Sequence, residues 1–204
     1  MQIERVATQA LSGSALTELR ALCELAYMQP VFETFGGGEH LLGRDKGRLV
    51  CHAMWITRWL QPQGQAPLKT AYVELVATHP HCRRRGYATA IMERLALEIA
   101  DEELGGLSPA TDRLYERLGW RFWRGPLFAR TDNGTVPTPD ERVMVLQLSR
   151  TPPLDLQAPL SIEWRRRYSG TRRGFSTCHS SPPRNLADRP RWPLASGRCS
   201  LTTA

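Results

Sequence analysis

Long hydrophobic runs are missing from this 204-residue chain. No window approaches the roughly 20 apolar residues that cross a bilayer, which excludes a membrane helix on pattern. The start, Met1-Gln2-Ile3-Glu4-Arg5, has neither the charged lead-in nor the apolar core of a secretory signal, so a soluble, cytoplasmic protein is expected. Cysteine is sparse: Cys23, Cys51, Cys82, Cys178 and Cys199 are far apart and odd in number. That excludes the disulfide framework of a small secreted domain and agrees with a reducing compartment. A net charge of one sign is missing from most of the chain as well. Residues 1–149 hold 17 Lys and Arg against 17 Asp and Glu, and residues 150–204 hold 10 against 3, so the end carries the whole formal +7. A basic face for nucleic acid is therefore not expected of the folded part, nor is a membrane partner.

What is present suffices for one domain with a real core, and no internal repeat divides it. Gln2 to Ala7 reads as a strand. Leu16, Leu19, Leu22, Cys23 and Ala26 recur at helical spacing after Ser14, a candidate N-cap. Gly36-Gly37-Gly38 marks a loop. Glu39 to Gly43 and Arg48 to Leu60 flank Arg44-Asp45-Lys46-Gly47, a hairpin with a turn glycine, and Leu49, Cys51, Ala53 and Trp55 are expected on one face of the second strand. After a polar loop over 61–67, Lys69 to Thr78 is a third long strand, expected to be central. A helix from about Gly86 to Asp101 has an apolar stripe of Ala88, Ile91, Met92, Leu95 and Ile99. Then come a short strand Leu104 to Leu107, a helix Ala110 to Leu118 stopped by Gly119, and closing strands Trp120 to Trp123 and Val143 to Leu148. Hairpins followed by strand–helix–strand–helix predict an α+β fold: a mixed, mostly antiparallel central sheet with helices on both faces.

One junction carries chemistry. The strand ending in Val76-Ala77-Thr78 runs through His79-Pro80-His81-Cys82-Arg83-Arg84-Arg85-Gly86 into Tyr87-Ala88-Thr89 at the start of the helix. Unpaired N–H groups and the helix dipole converge there, three arginines add charge, and Gly86 permits close approach of a phosphate. Glu74 lies mid-strand among apolar neighbours, two residues from Val76, so strand alternation predicts that both face the same way. A carboxylate in such a place needs a partner, and a ligand amine would serve; a salt bridge or an exposed edge is the alternative. Tyr115, with an ordinary pKa near 10, is a proton donor at neutral pH, or else a core tyrosine with a bonded hydroxyl. His79, His81 and Cys82 offer three metal ligands at most, and no metal is expected.

Arg83-x-x-Gly86-x-Ala88 resembles the coenzyme A loop of the Gcn5-related N-acetyltransferases, and Ser108-Pro-Ala-Thr-Asp112-Arg-Leu-Tyr115-Glu-Arg-Leu-Gly119-Trp120 resembles the later helix of the same superfamily. Their order and spacing make the pair far more specific than either alone. The resemblance implies the acyl-CoA N-acyltransferase fold and acetyl-CoA as co-substrate, without a metal. It assigns Val76, Ala77, Thr78, Arg83, Arg84, Arg85, Gly86, Tyr87, Ala88 and Thr89 to coenzyme binding, with the Val76 N–H facing the thioester carbonyl. Glu74 would bind the acceptor and act as base, and Tyr115 would act as acid.

Further segments are similar to the aminoglycoside 2′-N-acetyltransferases: Tyr72-Val73-Glu74, Trp123-Arg124-Gly125-Pro126, Pro137-Thr138-Pro139-Asp140-Glu141 and Ile162-Glu163-Trp164-Arg165. Position for position, Glu74, Ser108 and Glu141 would line the drug pocket. One expected acidic residue falls at Gly37, so Glu33 or Glu39 would stand in for it. The implied function is acetyl transfer to an aminoglycoside amine, at the 2′ position, conferring resistance. Acetylation of another small amine, an amino acid or a peptide N-terminus remains open, as does a nucleic-acid-associated role for the basic end; a homodimer is also open. The domain is expected to span residues 1–164. Residues 165–204, with nine arginines and the lone acid Asp188, have a composition that predicts disorder or a changed reading frame.

Overall fold

The computed structural model describes residues 1–28 and 37–163. Glu33, Gly36, Trp164, Cys178, Cys199 and the basic segment 165–204 lie outside the described residues, with the expectations attached to them.

Among the described residues, ten strands and three α-helices follow one another as β1 (Gln2–Ala7), α1 (Gly13–Tyr27), β2 (Glu39–Asp45), β3 (Arg48–Pro62), β4 (Leu68–Thr78), α2 (Tyr87–Glu98), β5 (Leu104–Leu107), α3 (Asp112–Arg117), β6 (Arg121–Phe122), β7 (Leu127–Thr131), β8 (Gly134–Pro137), β9 (Met144–Gln147) and β10 (Leu160–Glu163). Single 3₁₀ turns cover Thr8–Ala10 and Pro80–Cys82. The cap of α1 is Ser12, whose hydroxyl accepts from the Ala15 N–H at 3.2 Å; Ser14 falls inside the first turn instead. The β2–β3 turn places Lys46 at φ 49° and Gly47 at φ 79°, consecutive left-handed residues whose twist matches a two-residue hairpin.

The strands form one sheet in the order β6-β9-β5-β4-β3-β10-β7-β8, with β1 and β2 continuing from β3. Strand β3 is long enough to use one edge twice, pairing β2 through residues 48–55 and β10 through residues 60–62. Only β4–β5 and β7–β10 are parallel. Helix α1 covers one face of the sheet, adding Leu19, Leu22 and Cys23 to a core that holds Leu42, Met54, Leu60 and Tyr72. Helix α2 covers the other, packing Ile91, Met92 and Leu95 on Leu41, Ala53, Trp55 and Val73. The sheet is thus α+β with helices on both faces.

Leu49 does not share a face with Cys51, Ala53 and Trp55. Gly43 opposes Cys51 while Arg44 opposes Leu49, so Val50 is an extra residue that reverses the alternation. Leu49 packs on the α1 side and the other three on the α2 side.

Strands β7, β8 and β10 have no counterpart in the sequence pattern, because Pro126, Pro137 and Pro159 break the runs that would reveal them. The Trp-x-Gly-Pro segment is what docks them. Trp123 Nε1 donates to the Ala158 carbonyl at 2.7 Å, the Arg124 and Gly125 N–H groups donate to Leu156 O at 2.8 and 3.0 Å, and Leu160 N–H donates to Pro126 O at 2.9 Å. Gly125 is dictated by this approach, since a Cβ there would collide with the Gln157 and Ala158 carbonyl oxygens. Gly125→Ala should therefore cost about 1–3 kcal/mol of stability, the usual penalty of overpacking, and lower Tm accordingly. Gly13→Ala, where a Cβ meets nothing within 4 Å, should leave Tm unchanged or slightly higher in the same melting experiment.

Candidate functional site

The junction between β4 and α2 forms a cradle. Gly86, at φ 81°, is the N-cap of α2, and no side chain caps that helix. Its first N–H groups, on Tyr87, Ala88 and Thr89, are thereby available to an anion, and the dipole of a 12-residue helix points the same way. A Cβ on Gly86 would meet nothing within 4 Å, so what demands glycine is the left-handed backbone and not crowding. Arg84, also left-handed at φ 62°, and Arg85 are exposed beside it. Arg83 reaches back to the end of α1, donating to the Ala26 carbonyl at 3.4 Å, and the Tyr87 hydroxyl donates to Asp45 in the β2–β3 turn at 2.7 Å. A pyrophosphate fits this cradle of N–H groups, guanidinium charge and open backbone.

Beyond the cradle the sheet opens. Strand β5 pairs with β4 from Thr70 to Val73 and ends at Leu107, while β4 continues to Thr78. In that stretch β4 carries a bulge: Glu74 opposes Met54 and Ala77 opposes His52, leaving Leu75 and Val76 against Ala53, with Leu75 at φ 45°. A non-glycine residue in that region stores strain and is held by its surroundings. The bulge also overturns the expectation that Glu74 and Val76 share a face. Tyr72, Leu75 and Ala77 pack in the core under α1, whereas Val76 packs on the α2 side, so strand alternation is interrupted between Glu74 and Val76.

Around the bulge lie two phenols. Tyr27, at the end of α1, donates its hydroxyl to the Val76 carbonyl at 2.9 Å. Burial raises its pKa, and the neighbouring Tyr115, Cys23 and Glu74 raise it further. Tyr115, on α3, packs edge-on against Trp120 with ring centres 6.3 Å apart, and burial pushes its pKa up to about 12. Both phenols hold their protons at neutral pH.

Along the α1 face, between β4–β5 and the β7–β8 hairpin, runs a cleft. Its inner part, a narrow space of about 30 Å³, is lined by Arg58, Tyr72, Ser108, Thr138, Glu141 and Glu163. An outer part of about 520 Å³, sharing Leu127, Phe128, Thr138 and Glu141, extends past Trp123, Pro126 and Pro137. The outer part falls within the range of small-molecule sites, whereas the inner part is a narrow extension of it. The Tyr72 hydroxyl and Ser108 Oγ are 2.8 Å apart. Arg58, 4% exposed, stacks 4.6 Å from the Tyr72 ring centre and donates to the Glu163 carbonyl at 2.8 Å. The Glu141 carboxyl lies above its ordinary pKa: burial raises it most, Arg58 lowers it, and Asp140 raises it. Glu74 and Glu141 both act electrostatically on Tyr72. Glu39 stands apart, its carboxylate paired with Arg5 at 2.9 Å, the same Arg5 that bonds Glu98 on α2.

The structure therefore brings Ser108 and Glu141 together and places Glu74 near them, while Glu33 lies outside the described residues. Sequence reasoning missed Tyr27, Arg58, Tyr72 as a lining residue, and a buried histidine pair. Arg58 had one usable signal, an arginine within an otherwise apolar strand. The histidines had none, because their meeting depends on the exact register of the β2–β3 hairpin. Among the described residues, no group of three or more His, Cys, Asp or Glu is placed to hold a metal, no helix is long and apolar enough to cross a membrane, and Cys23, Cys51 and Cys82 are free thiols.

That pair, His40 and His52, is 1% and 0% exposed. Burial pushes His40 down to about 4; His52 goes to about 3, mainly through burial and then through His40. Folded-state values below the unfolded 6.5 mean that the unfolded chain binds protons first as pH falls. Stability is then intact above pH 6.5 and is lost on acidification from there toward pH 4, at up to about 1.4 kcal/mol per pH unit for each histidine. Urea unfolding at pH 7.5, 6.5 and 5.5 should show this decline, and His52→Asn should make it shallower; a flat profile in the parent protein would contradict the burial of the pair.

Comparison with known proteins agrees with this geometry. Residues 17–123 match the acetyltransferase (GNAT) domain model. The chain is 35% identical over 136 residues to an aminoglycoside 2′-N-acetyltransferase of Mycolicibacterium fortuitum, covering 63% of this chain and 69% of that one. Among solved structures, Eis1 of Mycobacterium abscessus superposes with a TM-score of 0.51 at 23% identity over 59% of this chain, which spans only 31% of Eis1. Escherichia coli ElaA gives 0.51 at 15% identity, covering 72% of this chain and 100% of ElaA. A GNAT acetyltransferase of Brucella melitensis in complex with acetyl-CoA gives 0.50 at 11%, covering 78% and 94%. The cradle, the open sheet and these matches establish one conclusion: the chain belongs to the GNAT family and is an acetyl-CoA-dependent N-acetyltransferase.

Proposed function

We propose that the enzyme acetylates a primary amine of an aminoglycoside, at the 2′ position, and so confers resistance. The observation that carries this is the cleft on the α1 face, where Trp123, Gly125 and Pro126 from one motif and Pro137, Thr138, Pro139 and Glu141 from another form the walls. Ser108 and Glu141 offer polar contacts inside it. Similarity to the M. fortuitum enzyme points to the same substrate class. Acetylation would remove a positive charge that such drugs use against RNA phosphates.

The residues divide the work by chemistry. The cradle residues Arg83, Arg84, Arg85, Gly86, Tyr87, Ala88 and Thr89 hold the pyrophosphate, and the main chain at Val76, Ala77 and Thr78 aligns the thioester arm. The Val76 N–H donates to the thioester carbonyl oxygen as negative charge develops there. Glu74 attracts the cationic amine and takes its proton, directly or through water, before nitrogen attacks carbonyl carbon. As the carbon–sulfur bond breaks, Tyr115 gives its proton to the departing thiolate, and the extra proton on the acetylated nitrogen passes through water to the phenolate, which restores it. Burial keeps this phenol protonated at neutral pH, so its proton is in place when the thiolate forms.

A thiol-release assay with acetyl-CoA and a panel of amines tests the substrate. Aminoglycosides with a 2′-amine should be turned over and those with a 2′-hydroxyl should not; turnover confined to amino acids, polyamines or peptides would overturn the proposal. For the acid, Tyr115→Phe keeps the ring and its packing on Trp120, so the melting temperature should hold. Turnover should fall by about 10²–10⁴-fold, the usual weight of a general acid. Unchanged turnover with chemistry rate-limiting would remove Tyr115 from the mechanism.

A further inference from the structure

The buried histidine pair belongs to a chain of hydrogen bonds that ends at the β4 bulge. Gly38 N–H donates to Thr8 Oγ1 at 2.8 Å, Thr8 Oγ1 lies 2.8 Å from His40 Nε2, His40 Nδ1 lies 3.0 Å from His52 Nε2, and His52 Nδ1 lies 2.9 Å from the Leu75 carbonyl oxygen. A carbonyl can only accept, and that fixes the direction of the chain. His52 must carry its proton on Nδ1, which makes Nε2 an acceptor while the ring is neutral. His40 must then donate from Nδ1, which leaves its Nε2 as an acceptor facing the Thr8 hydroxyl, whose single proton is shared between that nitrogen and the Gly38 carbonyl oxygen at 2.9 Å. Burial keeps both rings neutral near physiological pH.

The Leu75 carbonyl shares its peptide unit with the Val76 N–H. In a planar trans peptide the two point in opposite directions, so holding the oxygen toward His52 aims the hydrogen away from it. Accepting a hydrogen bond at the oxygen also polarises the amide and strengthens its N–H as a donor. The next peptide is held as well, by the Tyr27 hydroxyl on the Val76 carbonyl at 2.9 Å. Leu75 at φ 45° would not keep this strained geometry without such restraints.

The geometry points to His52, backed by His40 and Thr8, as a positioning residue that orients and polarises the Val76 amide toward the thioester carbonyl. This rests on the proposed role of Val76, and does not depend on which amine is acetylated. Histidine suits the position because it joins a donor and an acceptor through one rigid ring, which lets the restraint extend through His40 to the loop at Gly38.

The first measurement uses the unmodified full chain without ligand. Side-chain ¹⁵N NMR should find His52 protonated on Nδ1 and unprotonated on Nε2 at pH 7; the opposite tautomer or a charged ring overturns the inference. The second is the carbonyl stretch of bound acetyl-CoA carrying ¹³C in the carbonyl. In the parent protein it should lie below that of free acetyl-CoA, and His52→Leu should return it toward the free value. No displacement in the parent would overturn the role of Val76 itself; a displacement that His52→Leu leaves intact would overturn the relay alone. With the amine identified by the panel, His52→Leu should lower kcat about tenfold or more with both KM values nearly unchanged. His52→Asn, whose side-chain nitrogen replaces Nδ1 as donor, should recover most of the loss. Equal kcat in the parent and His52→Leu, or no recovery in His52→Asn, counts against the relay. Should His52→Leu not fold, the tautomer and the stretch in His52→Asn, expected near the parent value, decide.

Discussion

The divergence of β4 from β5 is the constraint on which the rest of this molecule depends. Parallel pairing ends at Val73 and Leu107, and from there β4 is bonded within the sheet on one side only, to β3. A strand end inside a sheet would ordinarily be covered by its neighbour. Here the gap is kept open by two arrangements in the sequence: β5 stops after four residues at Ser108-Pro109, and β4 bulges at Leu75. Both cores are needed to hold this shape. Leu75 and Ala77 are anchored under α1 while Val73 and Val76 are anchored under α2, so the strained segment is gripped from both faces.

The cleft follows from a second economy of topology. One strand, β3, serves β2 at its start and β10 at its end, which brings the far end of the domain back beside the middle. The return depends on carbonyls over 156–158 received by Trp123, Arg124 and Gly125. Charge in the cleft is mixed. Arg58 lies beneath Tyr72 and lowers the pKa of Glu141, against the opposing effect of burial. The pocket is therefore not simply an acidic trap for cations, and a ligand entering it meets one buried guanidinium as well as carboxylates.

How much of this was legible in the sequence depended on range. The cradle could be read because everything that makes it is contiguous, from Thr78 through Gly86 to Thr89, although the glycine at position 86, expected for close approach of a phosphate, is required by its left-handed backbone. Strands β1 to β5 and the three helices were legible from periodicity, with shifts of a few residues at their ends. Both bulges were invisible, since an extra residue at Val50 or Leu75 leaves no mark in an apolar strand, yet it reverses every side chain beyond it. Thus Leu49 was placed on the wrong face, and Glu74 was wrongly set on the same face as Val76. Short strands interrupted by proline were lost as well. The pairing of His40 with His52 spans 12 residues and depends on the exact register of the β2–β3 hairpin, which the sequence pattern left open, while the bond from Tyr27 to Val76 and the contact of Arg58 with Glu163 span 49 and 105 residues, and no local rule anticipates them.

All four residues of β8, from Gly134 to Pro137, are exposed, and the strand lies at the outer edge of the sheet. Substitutions on such a strand touch little of either core and are usually close to neutral for stability. Yet this hairpin also walls the cleft through Pro137 and Thr138. The enzyme thus separates what must stay fixed, the β4 bulge between its two cores, from what can drift. Acceptor preference can therefore be remodelled at the β7–β8 rim through mutations that folding barely penalises, while the bulge between the two cores is inherited unaltered.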